Sequence, residues 1–359
     1  MSFSREIIQW YGLNKRDLPW RETKDPYAIW LSEVILQQTR VAQGTPYYLK
    51  FIAEFPTVFD LAGASEESVL KLWQGLGYYS RARNLHAAAK QLVVEFKGVF
   101  PQEYGLLKSL KGVGDYTASA IASICFNAPE AVLDGNVFRV LSRYLGQNAP
   151  INSSQGAKLF KNLALEYCDK ENPSEYNQGI MEFGALQCVP QNPLCSDCPL
   201  QQTCVAYQTN TVAVLPVKIP KAKPKKVHHH YMVFLDPQGQ TLYNKRTGKG
   251  IWEGLYEFPL LSSLAAMSET ALFNEVAGYA FENFNSQALS AAFAVPHKRF
   301  LYNSTPLLHK LTHRHIYAHF WIVETQEFLE VGKAFSDIDQ LPTSVLISDF
   351  INAFKNSYF

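Results

Sequence analysis

Residues 110–120 read LKGVGDYTASA, with two glycines flanking a valine between two apolar, helix-like runs. Glycine is a poor helix former, so the pair marks a break between helices. A helix, a Gly-Val-Gly turn and the start of a second helix make a helix–hairpin–helix. Bare glycine backbone lets N–H groups approach a ligand closely, and the dipole of the second helix favours an anion there. A nucleic-acid phosphate fits, and such contacts position a duplex without reading its sequence. Gly112 and Gly114 are therefore candidate binding residues, and Asp115 is placed to cap the second helix.

Outward from the hairpin the texture stays helical. Apolar residues recur at helical spacing over 28–43, 65–74, 81–96, 103–110, 116–126, 136–145 and 155–168, punctuated by Gly, Pro and Asn. The stretch PVKIPKAKPKK (216–226) breaks the pattern, and residues 205–226 carry five lysines and no acidic residue. It reads as an extended tether, or as a strap touching a polyanion. Beyond it, HHHYMVFLDPQGQTLYNKR (228–246) reads as two strands around a Pro-Gln-Gly turn, HIYAHFWIVE (315–324) as a third strand, and residues 264–283 as one helix. At 359 residues, two domains are expected: one all-α, the other α+β. No run approaches the length of a membrane span, and the N-terminus lacks the apolar stretch of a signal peptide, so a cytoplasmic protein is expected. A net charge of +1 argues against a protein that coats nucleic acid by bulk charge and leaves a local basic surface open.

Three further features carry chemistry. Cys188, Cys195, Cys198 and Cys204 form C-x6-C-x2-C-x5-C. Four thiols so close in a cytosolic chain imply a metal, either tetrahedral zinc or a [4Fe–4S] cluster. Cys125 and Cys168 lie in apolar helices and read as inert core thiols. Glu33 interrupts the apolar run IWLSEVIL, where lost hydration favours the protonated form and suits a general acid. Asp134, in AVLDGNVFRVL, stands at a helix start, where it also suits an N-cap. One protonated and one ionised carboxyl are the usual equipment for cleaving a glycosidic bond.

LSEVILQQTRV (31–41), WQGLGYYSRARNLHAAA (73–89), LKGVGDYTASAIAS (110–123), VLDGNVFRVLSR (132–143) and the four-cysteine loop resemble, in order, the MutY family of adenine DNA glycosylases, over essentially residues 5–205. KRTGKGIWEGLYEFP (245–259) resembles the Nudix-like C-terminal domain of that family. The resemblance implies an all-α helix–hairpin–helix glycosylase domain with an iron–sulfur cluster loop (1–205, loop 188–204), a basic linker (206–227) and an α+β Nudix-like lesion-recognition domain (228–359). It implies a [4Fe–4S] cluster on the four cysteines. It also implies a monomer associated with the nucleoid that removes adenine opposite 8-oxoguanine or guanine in double-stranded DNA, after flipping it from the stack. By motif match, Glu33 would protonate the adenine N7 and help activate the water. Asp134 would stabilise the cationic sugar, with support from Tyr116 and Asn136. Gln38 and Thr39 match positions near the lesion strand, and Leu76 and Tyr78 match the wedge that fills the stack.

Tyr116 separates this chain from the related endonuclease III lyases, which carry a lysine at this hairpin position. That amine forms a Schiff base with the sugar; a phenol cannot, so a monofunctional enzyme is expected. In the C-terminal recognition loop the family commonly has Phe-Ser-His, where this chain has Leu311, Thr312 and His313. A hydroxyl is kept, so Thr312 and His313 are the candidate lesion contacts. The acidic helix with which Nudix hydrolases hold magnesium is missing, ETALFNEVAG (269–278) being the nearest stretch, which argues against a nucleotide pyrophosphohydrolase. The Glu33/Asp134 pair argues against a non-catalytic zinc module.

Overall fold

The computed structural model describes residues 2–220, 222–276, 298–326, 328–329 and 331–358. Its contacts divide the chain into two units, Met1–Gly63 with Asn84–Pro220, and Ala64–Arg83 with Lys221–Phe359. Among the described residues the first unit is helical, whereas the second mixes strands and helices. No helix among them is long and apolar enough to cross a membrane.

In the first unit, the helix Pro26–Leu36 opens on Asp25, whose carboxylate accepts the Tyr27 N–H at 3.1 Å, with Pro26 in the first position. Its residues from Tyr27 to Ile35 are all buried, as an apolar helix requires, between Val41–Glu54 and Asp115–Phe126. This burial carries the carboxyl of Glu33 into the interior. One helix was expected over 28–43; the chain instead breaks at Gln37–Arg40, where Gln38 has φ +56°. A left-handed residue cannot continue a right-handed helix, and the break puts Gln38 and Thr39 on a loop.

The hairpin joins Tyr104–Ser109 to Asp115–Phe126. Leu110 and Val113 anchor it in the core. Gly112 has φ +76°, and a Cβ there would lie 2.5 Å from Cβ of Asn84, so only glycine fits. Gly114 is extended (φ −94°) with open space around it, and it holds the N-cap position. Asp115, expected as the cap, is the first helical residue; its carboxylate pairs with Lys108 at 2.7 Å and accepts the Tyr104 hydroxyl. The segment expected as a linker is partly anchored. Val217 accepts the Ile151 N–H at 3.0 Å, Ile219 exchanges two hydrogen bonds with Asn152, and Lys225 already belongs to a strand.

In the second unit, Lys225–Leu235 and Arg314–Glu324 run parallel over eleven paired residues at the centre of a five-stranded sheet. Leu260–Ser263 flanks the former, and Lys298–Leu301 and Leu307–Lys310 pair with the latter, all antiparallel. Alternate side chains Met232, Phe234, Trp321 and Val323 form one apolar face, packed on Leu272, Phe273 and Val276. These last belong to the helix Glu269–Val276; of the helix expected over 264–283, residues 277–283 lie outside the described residues. At the Pro-Gln-Gly turn, Gly239 has φ +72° and Asp236 accepts the Gln238 and Gln240 N–H groups. The strand after it, Gln240–Thr241, pairs with Lys333–Ala334 rather than folding back on Lys225–Leu235. Leu311–His313 form the tight connection between Leu307–Lys310 and Arg314–Glu324.

Candidate active site

Glu33, Gln38, Thr39, Gly112, Gly114, Tyr116, Asp134 and Asn136 line one open pocket of the first unit. Four elements far apart in sequence therefore converge as the motifs suggested. Burial of Glu33 inside its helix is the main cause that pushes its carboxyl up to about 7; a hydrogen bond with Tyr116 opposes this, nearby Asp134 adds to it, and Arg21 pulls it back. Near neutral pH, Glu33 carries a proton much of the time. The Tyr116 hydroxyl also lies 3.2 Å from Sδ of Met181.

Asp134 is the N-cap of Gly135–Tyr144, and it also faces the pocket. Its carboxylate accepts three N–H groups at 2.8 Å each, from the Asn136 and Val137 backbone and the Asn136 side chain. Burial moves its pKa upward, while those donors and Arg139 favour the ionised form. The cap is thus the device that aims an anion into the pocket, on the positive end of a helix.

Several pocket residues had no signal in the sequence. Glu182 is almost fully buried and accepts hydrogen bonds from both Arg16 and Arg21, with the shortest ion pairs at 2.6 and 2.8 Å. Burial alone would raise its pKa, but the two guanidinium groups bring it down to about 2. Its partners stand 161 and 166 residues away in sequence, which hides the pairing. Arg139 ties the pocket to the cysteine loop, donating to the Asn136 side chain at 2.9 Å and to Cys188 O at 2.7 Å. No lysine lines the pocket among the described residues.

Cys188, Cys195, Cys198 and Cys204 line a single, mostly apolar cavity with Arg143. The guanidinium of Arg143 donates to Cys188 Sγ at 3.4 Å and to the carbonyls of Val189 and Pro190. Burial and the neighbouring thiols push Cys198 up to about 12. Among the described residues no three or more His, Cys, Asp or Glu side chains are arranged to hold a metal ion. The donor set itself, four thiols around one cavity beside a cation, suits an anionic thiolate cluster.

The remaining predicted residues meet in the second unit. Leu76, Tyr78, Thr312 and His313 line one cavity with Trp252 and His309. The Tyr78 hydroxyl and Thr312 Oγ1 are 2.7 Å apart. Tyr78 is half exposed, whereas Leu76 is buried.

A helix–hairpin–helix, a buried carboxyl and a capped carboxylate in one pocket are the frame of a base-excision DNA glycosylase, and residues 31–164 match the helix–hairpin–helix superfamily of base excision DNA repair proteins. Residues 230–352 match the NUDIX domain. The chain is similar to a thermostable thymine-DNA glycosylase structure, with a TM-score of 0.54 at 28% identity over 58% of this chain and 95% of that one. The chain is 39% identical to an adenine DNA glycosylase of Buchnera aphidicola over 72% of its own length and 73% of the relative's. It is 45% identical to that of Rattus norvegicus over 58% of its length and 42% of the relative's. The chain belongs to the adenine DNA glycosylase family and is a base excision repair enzyme, a hydrolase of N-glycosyl bonds.

Proposed function

We propose that the enzyme hydrolyses the N-glycosidic bond of adenine opposite 8-oxoguanine or guanine in duplex DNA, acts as a monomer and leaves an intact abasic site. One observation carries the chemistry: a carboxyl with a pKa near 7 shares a pocket with a carboxylate held by three N–H donors. Glu33, protonated, gives its proton to N7 of the departing base and, once ionised, takes one from the attacking water. Asp134 faces the cationic sugar, and its fixed donors aim it and favour its ionised form against the burial that raises its pKa. Tyr116 orients Glu33 and Asn136 orients Asp134. The Glu182 carboxylate, held between Arg16 and Arg21, fixes both guanidinium groups at the pocket wall. Tyr116 at the hairpin and the absence of lysine from the described lining support monofunctional hydrolysis, since no amine stands ready for a Schiff base.

Cys188, Cys195, Cys198 and Cys204 would hold a [4Fe–4S] cluster, which when bound supplies a rigid cross-link for the loop 188–204. Gln38, Thr39, Gly112 and Gly114 contact DNA from the first unit. Leu76, Tyr78, Thr312 and His313 read the opposite base from the second; a hydroxyl and an imidazole suit the extra hydrogen-bonding groups of an oxidised guanine.

Single-turnover release of adenine tests the chemistry. Glu33→Gln and Asp134→Asn should each slow it by at least about a hundredfold while DNA binding persists. Near-normal rates for either variant refute the paired-carboxyl mechanism.

A further inference from the structure

The turn that carries Leu76 and Tyr78 is unusual in its backbone. Gly75, Gly77 and Tyr78 have φ of +105°, +72° and +46°. The first and second are cheap for glycine; the third is not for a tyrosine. No Cβ clash compels Gly77 into this shape, because nothing lies within 4 Å of where one would stand. Something else holds the turn, and the hydrogen bonds show what. Trp73 Nε1 donates to Gly77 O at 3.0 Å. Arg81 Nη2 donates to Gly77 O at 3.2 Å and to Leu76 O at 3.3 Å, and the Arg81 backbone N–H donates to Tyr78 O at 2.9 Å. One residue thus engages three consecutive carbonyls of the turn.

The guanidinium also lies near two aromatic rings. Its centre lies 5.0 Å from the Trp73 ring and 5.8 Å from the Tyr78 ring. Arg81 is 8% exposed, whereas Tyr78 is 48% exposed. The arrangement therefore presents a tyrosine ring to solvent on a cation buried beneath it. A stacked, desolvated guanidinium is worth more than an exposed one, and its planar fork cannot be copied by an ammonium. A side chain that enters a base stack binds best when its pose is fixed beforehand, since ordering it on binding costs affinity.

We infer that Arg81 is the positioning residue that presets Tyr78 for insertion into the DNA stack, by fixing the Leu76–Tyr78 turn from below. This inference rests on the reading of Tyr78 as a stacking residue, and the test separates the two. The full-length protein and its Arg81→Lys, Tyr78→Ala and double variants are titrated against a duplex carrying a non-cleavable 2′-fluoro-adenosine opposite 8-oxoguanine. A 2-aminopurine beside the lesion reports unstacking by its fluorescence, and thermal midpoints are measured alongside. If Arg81 acts through Tyr78, Arg81→Lys weakens binding about tenfold and cuts the fluorescence rise, and it adds little in the Tyr78→Ala background. Arg81→Gln, which keeps one donor, should behave like Arg81→Lys and serves if that variant does not fold. Equal Arg81 effects in both backgrounds, tracking a fall in thermal midpoint, would make the residue a general scaffold and overturn the inference. If Tyr78→Ala weakens binding and the Arg81 variants do not, the inference fails and the stacking reading stands. If Tyr78→Ala changes nothing, both fail.

Discussion

Glu33 is a carboxyl whose stability cost and proposed catalytic use have the same origin. Its folded pKa of about 7 lies above the ordinary 4.5, so the folded protein binds the proton more tightly than the unfolded chain does. Stability from this group is full below about pH 4.5 and is lost as pH rises through 7, by roughly 3 kcal/mol. Glu33→Gln removes that charge. Its thermal midpoint should exceed that of the parent at pH 8 and match it at pH 4.5, while excision is lost at both. A midpoint difference independent of pH would show that Glu33 is not buried as a weak acid. Glu33 and Asp134 stood out as local patterns, a polar residue in an apolar run and a residue before a helix start, whereas Tyr116 and Asn136 were read by motif match; all four line one pocket. Arg16, Arg21 and Glu182 did not stand out, because a charged residue whose partner lies more than 160 positions away looks like any solvated one.

At the scale of elements, the two hairpin glycines make separable predictions. Gly112→Ala meets both a positive φ and the Asn84 side chain, so it should lower the thermal midpoint, by an amount on the order of 1–3 kcal/mol of stability. Gly114→Ala meets neither, so the protein should melt normally yet bind DNA more weakly, because a methyl group then stands where a phosphate approaches. Equal affinity for Gly114→Ala and the parent would remove the hairpin from the DNA interface. The cysteine loop predicts a brown protein containing iron and acid-labile sulfide, and Cys198→Ser should lose much of both; a colourless anaerobic preparation with one zinc per chain would contradict the cluster. The hairpin announced itself through glycine. The break at Gln37–Arg40 did not, since Gln-Gln-Thr contains neither glycine nor proline and its apolar flanks run on at helical spacing.

At the scale of the whole molecule, the change of texture read from the sequence, all-α and then α+β, is the fold class observed. The sequence did not show that Ala64–Arg83 packs with the second unit, because helical periodicity says which face is buried and not against what. Glu66, Glu67 and Arg83 make polar contacts with Lys245, Tyr256 and Glu253 there. Removing the C-terminal part would strip those contacts from the turn bearing Tyr78, so substitution is the cleaner probe. Thr312→Ala with His313→Ala should reduce the preference for 8-oxoguanine over guanine about tenfold, with the rate on adenine opposite guanine nearly unchanged; an unaltered preference would assign lesion reading elsewhere. The most direct test of the central claim incubates the full-length protein with duplexes holding adenine opposite 8-oxoguanine, guanine, cytosine or thymine, and resolves the strands with and without alkali. Adenine should be lost opposite 8-oxoguanine and guanine only, with strand breaks appearing only after alkali. Breaks that form without alkali, or adenine left in place opposite both purines, would contradict a monofunctional adenine glycosylase.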